Sequence, residues 1–136
     1  MKNRIPAHLL LLAIAAASLA GCKKDSDAAT CPDTVVGSWK LVSRQCFCVP
    51  AAMPQETLVL QTSGRFIFYR DGQPTSSGTY TLGTTASSCG STASKPGIYF
   101  DAGARPAGVG YSLTSCKLVL DYGGPCDAPV DTYERQ

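Results

Sequence analysis

From residue 36 to residue 135 no apolar pattern with a helical period can be drawn. Gly and Pro recur every several residues, and the short runs between them are rich in β-branched and aromatic side chains. A chain built this way must bury one face of many short strands, so it folds as all-β. The clearest run is Val36-Gly37-Ser38-Trp39-Lys40-Leu41-Val42-Ser43-Arg44, which holds the single Trp. We read eight strands: 36–45, 56–61, 65–70, 77–82, 97–101, 109–114, 116–122 and 129–135. Thr62-Ser63-Gly64 and Asp71-Gly72 are tight-turn signals. A Ser/Thr/Gly loop, 83–96, separates the fourth strand from the fifth. Eight successive antiparallel strands can close on themselves and so remove every exposed edge. A sandwich with immunoglobulin-like connections would need longer crossovers and a Cys–Trp–Cys spacing, and neither is evident. The expected fold is a short eight-stranded antiparallel up-and-down barrel over residues 35–136.

Ahead of the strands lies an export signal. Lys2 and Arg4 form a basic start, and Leu9 to Leu19 is an apolar run too short for a comfortable membrane span. It ends in Leu19-Ala20-Gly21-Cys22, which resembles the lipobox of bacterial lipoproteins. The resemblance implies removal of residues 1–21 and acylation of Cys22. Residues 22–34, with Lys23-Lys24-Asp25-Ser26-Asp27, read as a polar tether. The chain is thus expected in the bacterial cell envelope as an outer-membrane lipoprotein, periplasmic or surface-facing, monomeric and membrane-bound through Cys22.

Removing the leader changes which chemistries remain open. Two of the 12 basic residues leave with it, so 10 face 10 acidic ones and the net charge falls to zero. No basic stripe remains for nucleic acid. The single His, His8, also lies in the leader. Without it, Ser-His-Asp and Cys-His nucleophiles and His-ligated zinc hydrolase sites cannot be built. No phosphate loop or dinucleotide fingerprint occurs. Glu56, Asp71, Asp101, Asp121, Asp127, Asp131 and Glu134 are expected on the solvated surface, which leaves no catalytic residue, metal or cofactor to assign. Roughly 115 residues follow the leader, enough for one domain with a modest core. With Cys22 acylated, six cysteines are left: Cys31, Cys46, Cys48, Cys89, Cys116 and Cys126. An even count in a small exported domain points to disulfides of open connectivity.

In this frame the chain resembles the lipocalin-like (calycin-type) lipoproteins of the Bacteroidetes. The residues that carry the resemblance are Gly37-Ser38-Trp39, Gln61-Thr62-Ser63-Gly64-Arg65-Phe66, Gly78-Thr79-Tyr80, Leu118-Val119-Leu120-Asp121-Tyr122 and Tyr133-Glu134-Arg135. It implies that Trp39 sits at the closed end of the barrel with Arg135 stacked across it. The same end-to-end order puts Cys31 and Cys116 together at that base, and shares Cys46 and Cys48 between Cys126 and Cys89. Strand alternation would turn Trp39, Leu41 and Ser43 inward, with Phe66, Phe68, Tyr80, Ile98, Phe100, Tyr111, Leu118, Leu120 and Tyr122. Ser43, Phe68, Phe100, Tyr111 and Tyr122 then become candidates to line a mouth for a small apolar ligand with a polar end. Two functions fit: a binding module for such a ligand, or for envelope upkeep, and an interaction or inhibitor module with a filled core and disulfide-held loops 46–55 and 83–96. An enzyme working on carboxylates alone is the remote third.

Overall fold

In the computed structural model, residues 31–49, 51–86, 93–101, 108–114, 116–123 and 127–136 are described. Every expected strand forms: β1 (Gly37–Gln45), β2 (Glu56–Leu60), β3 (Arg65–Arg70), β4 (Gln73–Ala86), β5 (Ser94–Phe100), β6 (Val109–Thr114), β7 (Lys117–Asp121) and β8 (Val130–Arg135). Each pairs antiparallel with its neighbour in sequence, and β8 returns to pair with β1, so the sheet is a closed barrel. No helix occurs among the described residues. The turns follow their chemistry. Asp71 and Gly72 take φ of 51° and 76°, the left-handed pair that a two-residue hairpin demands.

Period-two alternation builds the core. Leu58 and Leu60, Phe66 and Phe68, and Leu118 and Leu120 all point inward and are buried. Phe66, Phe68 and Phe100 meet edge to face, with ring centroids 4.8–5.7 Å apart. Trp39, Phe66, Phe68, Ile98 and Tyr133 are each 0% exposed. No gap wide enough for water therefore touches them, and the middle of the barrel is filled.

The floor joins the first and last strands of the barrel. The Arg135 guanidinium lies 4.2 Å from the centroid of the Trp39 ring, as the resemblance implies. It also donates to the carbonyls of Val36 (2.8 Å) and Thr34, while the Trp39 indole N–H donates to Val35 (2.7 Å). A stack of this kind contributes about 0.5–2 kcal/mol. It also explains the glycine two residues before the Trp. Gly37 has φ 151°, and a Cβ there would collide with the guanidinium. Cys31 and Cys116 are joined beside this floor.

The register departs from simple alternation in two places. Leu41 pairs with Tyr133 and Ser43 with Thr132, so Val42 is an extra residue, a β-bulge. A second irregularity lies opposite Phe68 and Tyr69, at Thr75. β4 also runs well past the expected residue 82, and β5 starts at Ser94, which shortens the expected 83–96 loop. β-branched Thr84 and Thr85 extend the ladder opposite Pro96 and Lys95. Pro96 is tolerated because β5 pairs with β6 only at Gly97 and Ile98, leaving it one hydrogen-bonded neighbour. That thin seam is strapped on the outside by Lys95, whose stem crosses Gly110 to pair with Asp121 at 2.5 Å.

The Cys46 and Cys48 pairing differs from expectation. The two bond to each other rather than to Cys126 and Cys89. The chain leaves β1 at Gln45 and doubles back within three residues, so each sulfur meets the other first. Cys22, Cys89 and Cys126 lie outside the described residues.

Candidate functional site

At the end of the barrel opposite Trp39 the inward face turns polar. Past the bulge, Arg44 rather than Ser43 continues the inner row, because Arg44 pairs with Asp131 and Ser43 with the outward Thr132. Arg44 forks onto Asp131, with Nε to Oδ1 and Nη2 to Oδ2 both at 2.6 Å. Glu56 opens β2 on the parity of Leu58 and Leu60, so it too is directed inward. The Tyr133 hydroxyl donates to Glu56 Oε1 at 2.6 Å, reaching across β1. Arg70 Nη2 lies 3.4 Å from Glu56 Oε2, and Arg44 lies 3.9 Å from Oε1. Two cations therefore offset two carboxylates whose side chains have no exposed surface.

This corrects the expectation of solvated carboxylates for Glu56 and Asp131, both of which are buried. Burial is possible because each has a charged partner and a hydrogen bond in place, which offsets desolvation. Asp71, Asp101, Asp127 and Glu134 do sit at the surface. The Asp131 hydrogen bond holds the Arg44 proton more tightly still, against the opposing effect of burial. Burial raises the Tyr133 phenol well above its ordinary value, helped by nearby Tyr122 and by the bond to Glu56. Burial alone raises Tyr80.

A pH dependence follows. The folded state holds the Tyr133 proton more tightly than the unfolded chain, so this stability is complete below about pH 10 and is lost as the pH rises further. Tyr133→Phe removes a donor from a buried carboxylate, and we expect a loss of about 1–3 kcal/mol at neutral pH. It should also flatten the alkaline limb of urea-unfolding stability, leaving the smaller slope that belongs to Tyr80. An unchanged alkaline limb would contradict this.

The expected lining residues do not assemble into a pocket. Phe68 and Phe100 are locked in the aromatic cluster, 5.6 Å apart. Tyr111 and Tyr122 pack against the core while partly exposed. Ser43 belongs to the outer face, because an inserted residue reverses the alternation behind it. Among the described residues no three side chains converge to hold a metal ion.

Beyond the polar end, the chain between β1 and β2 carries a different surface. Phe47 is 88% exposed and Val49 85%, and Met53 is also exposed. Residues 46–53 contain no charged side chain. The Cys46–Cys48 bond closes the start of this loop around Phe47. No known protein family matches the chain, and neither does a curated protein or a solved structure.

Proposed function

We propose that this chain is an exported, lipid-anchored interaction module that docks a protein partner through loop 46–53. The carrying observation is the contrast between the barrel's two apolar surfaces. The inner one is buried, its largest side chains at zero exposure, and the Arg44–Asp131 and Glu56–Tyr133 contacts lie across its polar end. The outer one, Phe47 with Val49 and Met53, is left in water. Exposing such side chains costs free energy, roughly 1.5–3 kcal/mol for each large one, which docking recovers. The occupant is a protein with an apolar socket rather than a lipid surface. The loop has no Lys, Arg or Trp of the kind that interfacial anchors use, and the nearby Arg44 and Arg70 face carboxylates. The anchor role of Cys22 and the outer-membrane location remain part of this proposal, as does the absence of catalysis.

A photoreactive residue at position 47 in the native envelope tests the reading. We expect one saturable protein adduct, lost when Val49→Ser and Met53→Ser are added beside the photoreactive residue, in a variant whose folding stability stays within about 0.5 kcal/mol of the parent. Adducts to phospholipid, or a small apolar molecule carried by the purified protein in native mass spectrometry, would replace this reading with a membrane-facing or ligand-holding one.

A further inference from the structure

The two disulfides among the described residues stand in different relations to the fold. Cys31 and Cys116 are 85 residues apart in sequence. Only the folded barrel brings them together, and the Arg135 N–H holds the Cys116 carbonyl at 3.1 Å. Cys46 and Cys48 are two residues apart, so they stay neighbours whether the barrel is folded or not. Folding therefore reinforces the first bond and adds little to the second. Exposure separates them again. Cys31 and Cys116 are each half-buried, whereas Cys48 is exposed and Cys46 half-buried. Access by an attacking thiolate governs exchange.

We infer that Cys46–Cys48 is a thiol-exchange site for cysteine-bearing polypeptides, a role that shares Phe47 and Val49 with the docking reading but rests on the disulfide itself. Cys48, the more exposed residue of the two, is the one attacked. The incoming thiolate forms a bond to Cys48 Sγ, the Cys46–Cys48 bond breaks, and its electron pair leaves on Cys46 Sγ. The proton lost by the incoming thiol returns to Cys46 through water. A second thiol of the same polypeptide then displaces Cys48. The substrate gains a disulfide, and its two electrons and two protons reside on Cys46 and Cys48. Each chain performs this once from its own bond. Phe47 and Val49 flank the attacked sulfur and are 88% and 85% exposed, so they favour a cysteine set among apolar residues in an extended or unfolded segment.

The test uses the full oxidised chain in native buffer with two single-cysteine peptides, one with apolar and one with charged flanks. After quenching and alkylation, peptide mapping should find the peptide on Cys48, a new thiol on Cys46, and Cys31–Cys116 intact. The apolar peptide should react faster, and Phe47→Ser should cancel that advantage, a loss of roughly tenfold. A bond that resists until the barrel melts would overturn the assignment. So would an adduct on Cys46, equal rates for the two peptides, or native Cys46 or Cys48 joined to Cys89 or Cys126.

Discussion

Arg44→Met is expected to destabilise the barrel by about 3–5 kcal/mol, because it strips the Asp131 carboxylate of its partner where no water can reach it. Asp131 is 0% exposed and receives both Arg44 bonds at 2.6 Å. The reciprocal change should cost less. Arg44 keeps a quarter of its side chain in solvent and already lies 3.9 Å from Glu56, so Asp131→Leu leaves its charge an outlet. Replacing both, as Arg44→Met with Asp131→Leu, should recover most of the loss, because two apolar side chains need no mutual compensation. Urea unfolding of the four proteins gives the coupling directly. Additive single losses would mean that the fork contributes nothing as a pair.

Opening the floor bond should have an effect at least as large. Cys31→Ser with Cys116→Ser releases a closed loop spanning a sequence separation of 85, worth about 4–5 kcal/mol by chain closure. For a domain of this size that corresponds to a fall of about 15–30 °C in melting temperature. The matching change at Cys46 and Cys48, two residues apart, should cost about 1.5 kcal/mol or less on the same reasoning. Calorimetry on the two double variants separates them. Similar losses would show that the short bond also braces the barrel.

The barrel was legible because its information is local. Alternation named the strands, Asp71-Gly72 and Gly64 marked turns, and strands that reverse at each turn bring residue 135 back beside residue 39. That order also placed Cys31 next to Cys116. What stayed hidden depends on a single inserted residue. Nothing in Leu41-Val42-Ser43 marks a bulge, since Val suits any strand position, so alternation alone turns Ser43 inward. The carboxylates offered a signal that composition outweighed. Glu56 has the parity of Leu58, and Asp131 that of Tyr133 and Arg135. Parity, followed strictly, pointed both of them into the barrel. The Cys46–Cys48 pairing had no signature at all, because six cysteines leave many connectivities open.

β1 links the exposed loop directly to the floor, pairing with β2 over 37–40 and with β8 over 39–45. A load applied at residue 46 and resisted at residue 31 therefore runs lengthwise down that one strand. The covalent backbone of β1 carries that tension, and the rungs on either side are spared from parting one after another. Gripped this way, the module can be tugged by its outermost tip without peeling apart.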